Sequence, residues 1–585
     1  MAQFAGTKSY KAFDGTAYSL NVWTGRSVAL QIPTQTAVTQ AVMDKLLQAF
    51  DKGYNYYAQI TGRTPQSSSY QFGTRDSIAV VDQTCGAGCG WLGANGIEVL
   101  PDYFGSNLQG QFPSVEGFYD AMAARNEVNS IVFYELGRNF WFYGDKLGGA
   151  TSQTDWGFTT GYAVVNRYYA MQSTGFSING IDAEYHNQKL PQVAATYFAT
   201  AGVNGLNTLG ARTGVNNPTG YNGSADLAAA LFRTFRENVG PSDYTIFWRT
   251  LPSTPSATTA AGAFANFTDA ARSASALDFS FLFKEGWNFK VGGPSDETLT
   301  AADHLGSAYA VLGFAGNDTL TGSAGAESLF GDVGADRLNG AGGDDQLAGG
   351  SGNDILDGGS GHDILHGGEG TDTMTGGSGN DLFVVGELGD KVIEASSAGV
   401  DTVRSSVTFT LPANVENVVL TGLGAINGNG NAAANSITGN EAANKLSGLG
   451  GDDQLFGLGG NDLLRGGPGR DTMTGGIGAD RFMFSTGDFS GTTTSTSDSI
   501  VDFSRAQRDR IDLKAVDANA TNGTSTNEAF RWVGSSAFQG TPGELRYEQI
   551  SGNTFLFGDV DGDTVPDFCV QIIGLHSLIS SDILL

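Results

Sequence analysis

Apolar and polar positions follow two regimes along this 585-residue chain. In its second half an apolar residue stands two places after nearly every member of a periodic acidic series. Leu356 follows Asp354, Leu365 follows Asp363, Met374 follows Asp372 and Phe383 follows Asp381. Glycine-rich stretches separate them, as in Gly349-Gly350-Ser351-Gly352-Asn353-Asp354. The pattern predicts very short strands, each with one inward apolar side chain, joined by turns that exploit glycine's tolerance of positive φ. In the first half the glycines lose their period. Helical spacing appears at 37–54, 128–142, 161–172 and 224–238, and short strands are expected at 27–32, 77–81 and 96–100. That half reads as an α+β domain with an apolar core of its own.

The acidic series has a period of nine. It runs Asp318, Glu327, Asp336, Asp345, Asp354, Asp363, Asp372, Asp381, then resumes at Asn435, Asn444, Asp453, Asp462, Asp471 and Asp480. This is the G-G-x-G-x-D-x-U-x repeat of a parallel β-roll that binds Ca²⁺. No single repeat can bury its apolar residue, so successive turns must stack. Stacking brings aspartates of neighbouring turns together, and like charges that close repel unless a hard cation lies between them. Calcium takes six to eight oxygen ligands in adaptable geometry, which suits carboxylates and glycine carbonyls. Metal binding then becomes folding energy. The turns at Glu327, Asn435 and Asn444 lack Asp and have incomplete glycine pairs. They read as capping or half-occupied turns. A disordered Gly/Asp-rich linker would not keep this phase.

The formal net charge is −29, from 61 acidic and 32 basic residues. That argues against affinity for nucleic acid or anionic lipid. No apolar run reaches the length of a membrane span. The N-terminus shows no charged start followed by an apolar core, so no cleavable secretory signal is expected. Millimolar calcium is nevertheless an extracellular condition. A second acidic group, Asp559, Asp561, Asp563 and Asp567, alternates along a loop. It reads either as part of an EF-hand-like calcium loop or as an acidic hairpin turn, since Val570 stands where the closing Glu would be. Cys85 and Cys89 are close enough in sequence for a local disulfide once outside the cell, and Cys569 is expected to be a buried thiol.

Three stretches carry a resemblance: Asp498-Ser499-Ile500-Val501-Asp502-Phe503, Arg508-Asp509-Arg510-Ile511-Asp512-Leu513 and Val516-Asp517-Ala518-Asn519. With the repeats, they make the region from about 310 to 585 resemble the C-terminal half of repeats-in-toxin (hemolysin-type) proteins, and especially the serralysin C-terminal module. The tail Ser581-Asp582-Ile583-Leu584-Leu585 is similar to terminal export signals of that class. The resemblance implies passage through a type I secretion apparatus, unfolded and low in calcium, followed by folding outside.

A second resemblance lies in Ile131-Val132-Phe133-Tyr134-Glu135-Leu136-Gly137-Arg138-Asn139-Phe140-Trp141. It looks like the active-site helix of a zincin metallopeptidase, H-E-L-G-H-N-F-W, with both histidines replaced. In that motif two His at i and i+4 chelate zinc and the Glu activates bound water. Here Tyr134 and Arg138 take the ligand positions, and Arg cannot ligate zinc. In Phe158-Thr159-Thr160-Gly161-Tyr162-Ala163, Thr160 stands where a gluzincin's third ligand, a Glu, would be. Only the general-base position, Glu135, survives. The resemblance therefore implies a zincin-like fold without zincin chemistry, and zinc is not expected. Glu135, Tyr134 and Arg138 form either a new polar site in the old cleft or an ordinary helical ion pair. His186 is the sole His of this half and reads as a surface or hydrogen-bonded residue rather than a metal ligand.

The expected organisation is a zincin-like α+β domain at 1–295, a first calcium β-roll block at 310–385, a strand-rich connection at 386–430, a second block at 431–485, and a C-terminal β-sandwich-like module with the export signal at 486–585. The expected function is that of a secreted calcium-binding protein whose degenerate N-terminal domain binds an unknown extracellular or cell-surface partner. Two rivals stay open: an active secreted hydrolase with a site around Glu135, and a surface-layer or adhesive component that assembles through calcium.

Overall fold

The structure is a computed structural model. It describes residues 2–11, 17–34, 38–64, 76–80, 88–90, 97–99, 118–128, 132–133, 156–178, 180–199, 224–254, 256–257, 260–283, 287–301, 308–489, 491–493, 496–519 and 528–585. Tyr134, Glu135, Arg138 and Cys85 lie outside these residues, as does the side chain of Thr160. The chain divides into two compact units, Met1–Leu299 with Ser307–Asp318, and Thr300–Gly306 with Thr319–Leu585.

The first unit is a small α+β region. Its sheet runs in the order Gln3–Lys11, Ala17–Thr24, Val28–Pro33, Asp76–Val80, Ile97–Val99, Gly88–Gly90. The helix Gln40–Thr61 starts where Thr39 accepts a hydrogen bond from the Val42 N–H and stops at Gly62, whose φ of 65° suits a residue without Cβ. It buries Met43, Leu46, Leu47, Phe50, Tyr54 and Tyr57 on one face, the spacing of an amphipathic helix. Phe133 packs on that face, and its carbonyl accepts the Tyr57 hydroxyl at 2.8 Å. The helix Ser224–Thr250 is bent where Gly240 takes φ 69° ahead of Pro241. The helical spacing of the sequence ends at residue 238 for that reason, although helix continues beyond the kink.

In the second unit short parallel strands alternate between two sheets. One contains Glu327–Val333, Gln346–Ser351, Ile364–Glu369 and Leu382–Val385; the other contains Thr319–Thr321, Arg337–Asn339, Ile355–Ser360 and Thr373–Ser378. Each strand pairs with the strand 18 residues on, as Ile355 with Thr373 and Leu356 with Met374. One nonapeptide is thus half a turn of a parallel β-solenoid. The apolar residue two places after each Asp points inward: Leu356, Leu365, Met374 and Phe383 are all fully buried. Glycine is required where turns touch. At Gly370, with φ 135°, a Cβ would lie 1.6 Å from the Gly352 carbonyl oxygen of the stacked turn.

The connection after residue 385 belongs to the same stack. The first sheet runs unbroken through Thr402–Ser405, Asn417–Leu420 and Ser436–Thr438. The second is interrupted: one ladder ends at Lys391–Ile393 and another starts at Phe409–Thr410. The C-terminal strands extend these two sheets. Phe568–Ile572 pairs parallel with Asp498–Ile500 and antiparallel with Asn553–Asp559. The tail strand Ile583–Leu584 lies at the edge of the other sheet, parallel to Arg510–Ala515. Asp582 beside it accepts from Arg505 Nε at 2.8 Å. Cys569 is a free, buried cysteine whose thiol is pushed up to about 12 by burial.

Candidate metal centre

Every repeat aspartate named from the sequence is buried: Asp318, Asp336, Asp345, Asp354, Asp363, Asp372, Asp381, Asp453, Asp462, Asp471 and Asp480. Their two carboxylate oxygens do different things. One accepts a backbone N–H of the turn below. Asp336 N–H donates to Asp354 Oδ1 at 2.7 Å, Asp345 N–H to Asp363 Oδ1 at 2.8 Å, and Asp354 N–H to Asp372 Oδ1 at 2.8 Å. The second block repeats this, with Asp453 N–H to Asp471 Oδ1 at 2.9 Å and Asp462 N–H to Asp480 Oδ1 at 2.8 Å.

The other oxygen, Oδ2, is buried and has no hydrogen-bond partner in Asp345, Asp354, Asp363, Asp372, Asp381, Asp453, Asp462, Asp471 and Asp480. It points at the first glycine of its own repeat. A Cβ on Gly349 would lie 2.4 Å from Asp354 Oδ2 and 2.7 Å from the Gly367 carbonyl oxygen. At Gly358 the distances are 2.4 Å to Asp363 Oδ2 and 2.7 Å to the Gly376 carbonyl. Carboxylate and carbonyl oxygens therefore converge on space left by a missing side chain. A buried carboxylate oxygen without a donor is costly, and a row of them is costlier. An oxygen-only set of charged and carbonyl donors fits a hard cation such as Ca²⁺.

These carboxyls are held far above the usual range. Burial raises Asp354 to about 8; the Asp336 N–H opposes it, and the charges of Asp372 and Asp336 reinforce it. Asp345 rises to about 8, Asp453 and Asp471 to about 7, and Asp363 and Asp480 to about 6, with burial again the largest cause. Because the folded value lies above the ordinary 3.8, protonation stabilises the metal-free roll at low pH, and that contribution is lost as pH rises through about 6 to 8. A cation must then displace protons. At pH 5, where protonation keeps part of the metal-free roll folded, calcium binding is expected to release protons and to be weaker than at pH 7.5. Calorimetry in two buffers of different ionisation heat measures this, and equal heats in both would contradict it.

Some rungs close without a cation. Asn435 Oδ1 accepts the Asn431 N–H at 2.7 Å, while its Nδ2 donates to the Val415 and Glu416 carbonyls at 3.3 and 3.2 Å. Asn444 Nδ2 donates to the Ile426 carbonyl at 2.7 Å and to Asn440 Oδ1 at 3.0 Å. The amide group supplies the positive pole that a carboxylate would need from an ion. The rungs continue beyond the series read from the sequence. Asp390, Asp401, Asp498 and Asp509 accept the backbone N–H of Asp372, Asp381, Asp471 and Asp480. Of these, Asp401 also has an orphaned Oδ2. In contrast, Asp390 Oδ2 accepts from Gly386 and Glu387, and Asp509 Oδ2 from Ser504. Asp390 keeps the nine-residue phase and was findable. Asp401 is displaced because its turn is 20 residues long.

The acidic loop at 559–567 is the turn of an antiparallel hairpin. Asp559 accepts the N–H groups of Gly562 and Thr564, Asp561 that of Asp563, Asp563 that of Val565, and Asp567 that of Val560. Carboxylate oxygens of Asp559, Asp561 and Asp563 lie within 4.8 Å of one another, and each of these carboxylates also accepts an N–H of the turn. In the first unit His186 is buried on a π-helical turn, Tyr185–Lys189, and stacked on Tyr168 with ring centroids 3.7 Å apart. Its Nε2 is 3.5 Å from Glu237 Oε1, which also accepts the Tyr169 hydroxyl at 2.5 Å. Burial lowers the imidazole to about 4, so it is neutral at pH 7. Burial opposes the charge on Glu237, but the His186 hydrogen bond and Arg233 outweigh it and hold that carboxyl low. Among the described residues His186 joins no cluster of three metal-ligating side chains. No described helix is long and apolar enough to cross a membrane.

Residues 308–585 match the family model described as Peptidase M10 serralysin C terminal. They form a serralysin-like, repeats-in-toxin type C-terminal module. Among solved structures, the chain is similar to the AlgE6R3 subunit of the Azotobacter vinelandii mannuronan C5-epimerase, with 29% identity over 26% of this chain and 78% of that one, at a TM-score of 0.20. It is also similar to the AlgE6R2 subunit of the same enzyme, with 28% identity over 26% of this chain and 92% of that one, at a TM-score of 0.18. No curated protein matches the chain.

Proposed function

We propose that this is an exported calcium-binding protein whose roll folds on Ca²⁺ after leaving the cell through a type I secretion apparatus. The observation that carries the proposal is the row of buried aspartate oxygens with no donor, each aimed at the absent Cβ of its own glycine, where at Asp345, Asp354, Asp363, Asp453 and Asp462 a glycine carbonyl of the stacked turn converges on the same space. Asp345, Asp354, Asp363, Asp372, Asp381, Asp453, Asp462, Asp471 and Asp480 are its proposed ligands. The match of residues 308–585 to a serralysin C-terminal model supports the export route. So does the acidic balance, which keeps the unfolded chain soluble where calcium is scarce. The tail that resembles an export signal lies in an edge strand once folded, which suits a signal read before the roll forms.

For the first unit we propose a zincin-like domain that binds an extracellular or cell-surface partner and does no zinc chemistry. The support is in the sequence: Tyr134 and Arg138 stand at the ligand positions, Thr160 at the third, and Glu135 alone is kept.

Equilibrium dialysis of the full chain against labelled calcium tests the roll. Several ions should bind, and Gly349→Ala should lose about one of them, since its methyl takes the cation's place. A chain that binds no calcium in millimolar solution, with its strands intact, would refute the proposal.

A further inference from the structure

One turn of the roll departs from the rest in a way that changes its chemistry. At Gly349 and Gly358 the aspartate oxygen is met by a glycine carbonyl from the turn 18 residues later. At Gly376 the residue 18 positions on is Glu394. Its side chain takes the carbonyl's place: a Cβ on Gly376 would lie 2.4 Å from Asp381 Oδ2 and 2.4 Å from Glu394 Oε2. The backbone carbonyl of Glu394 is turned elsewhere and accepts Asn414 Nδ2 at 3.1 Å. Glu394 Oε1 accepts the Ala395 N–H at 2.7 Å, which fixes the carboxylate. The longer turn then delivers Asp401, whose Oδ1 accepts the Asp381 N–H at 2.8 Å.

Ligand oxygens of Asp381, Glu394 and Asp401 lie within 4.8 Å of one another. The three residues are 2%, 8% and 0% exposed. One oxygen of each, Asp381 Oδ2, Glu394 Oε2 and Asp401 Oδ2, is buried without a hydrogen-bond partner. Three inward-facing acceptors in one buried cluster outnumber the backbone donors beside Glu394, those of Ala395 and Gly377, whereas the Asp390 rung is closed by its own turn.

We propose that Asp381, Glu394 and Asp401 form a calcium site distinct from the repeat sites, with a third carboxylate where the Gly349 and Gly358 turns have a carbonyl, and that it is the tightest site of the roll. The inference rests on the roll binding calcium at all. Affinity in oxygen sites rises with the number of charged ligands, and that number is greater here. Adding a formal charge on a fixed side chain is expected to tighten the site about tenfold relative to a repeat turn. This site then fills first. It lies where the second sheet is interrupted, between the aspartate rungs and the asparagine rungs.

The test is a calcium titration of the full chain and of Glu394→Gln by calorimetry at pH 7.5. The native chain should show one class of site about tenfold tighter than the others, absent from Glu394→Gln, with the weaker class unchanged in number. Superimposable titrations overturn the proposal while leaving calcium binding by the repeats intact. No binding by either chain overturns the roll reading itself. Should Glu394→Gln fail to reach the native circular dichroism at saturating calcium, Glu394→Asp decides. It should fold and keep the tight class at reduced affinity, and an unaltered tight class in that variant counts against the site.

Discussion

Chelating calcium from the full chain is expected to abolish the strand signal of residues 319–485 and to leave the helical signal of the first unit. Each nonapeptide buries one apolar side chain inward, contributing about 1.5–3 kcal/mol for a Leu or Met. Ordering each residue's backbone costs about 1–2 kcal/mol, and glycine loses the most freedom. Nine residues cannot be ordered by one Leu, and the parallel ladder adds only about 1 kcal/mol per hydrogen bond. Without a cation, the orphaned oxygens of Asp345, Asp354, Asp363 and their neighbours add desolvation and repulsion at neutral pH. The helical unit stands on a different footing. Phe50, Tyr57, Phe133, Tyr162, Phe232, Phe235, Phe247 and Trp248 are buried together in its interior, and burial of such rings needs no ion. Circular dichroism before and after a calcium chelator measures the difference. The expected loss of the roll's strand is near complete at pH 7.5 and smaller at pH 5, where protons neutralise part of the row. A strand signal undiminished by full chelation at pH 7.5 would remove the metal from the account.

How much of this was legible in the sequence depends on what sets the position of each group. The aspartate rungs were, because turn geometry fixes them: one residue added or lost rotates the apolar side chain out of the core. Asp354 and Leu356 therefore share a phase that a single sequence displays. The phase fails where turn length changes. Asp401 comes 20 residues after its rung partner, Asp498 comes 27 and Asp509 comes 29. The backbone absorbs each insertion at the turn and restores the rung, so spacing alone hides it. Glu394 was hidden for another reason. It occupies a glycine position, and only the placed side chain reveals that a carboxylate has replaced a carbonyl. In the first unit the helix Gln40–Thr61 announced itself by a one-sided apolar face. The helix Leu190–Ala199 has a one-sided face too, of Leu190, Pro191, Val193, Ala194, Tyr197 and Phe198, but it is only 10 residues long and Pro191 within it reads as a break. The burial of His186 depends on Tyr168 and Glu237, which are distant in sequence. The zincin-like motif at 131–141 lies almost wholly outside the described residues, so Glu135 stays a proposal from sequence.

The asparagine rungs offer the sharpest separation between a ladder that merely repeats and one that repeats in order to hold ions. Asn435→Asp exchanges an amide nitrogen that donates to the Val415 and Glu416 carbonyls for an oxygen that repels them. Nothing else about the turn need change, because Asn435 Oδ1 already sits 2.4 Å from the Cβ position of Gly430, with the Gly448 carbonyl at 2.5 Å, the same cradle as at Gly349. In chelator the variant should therefore lose about 1–3 kcal/mol locally, the cost of a buried acceptor facing acceptors. In millimolar calcium it should recover that loss and bind about one more ion than the native chain, since carboxylate and carbonyls again converge. The double variant Asn435→Asp, Asn444→Asp should gain about two. Hydrogen exchange of the amides at 428–447, with and without calcium, reads the stability, and dialysis reads the count. In the native chain these amides should be the least sensitive to calcium within the roll, because their rungs are closed by amide groups. If the variants bind no additional calcium and their exchange is unaltered, then a carboxylate in that cradle does not make a cation site, and the aspartate rungs lose the same claim.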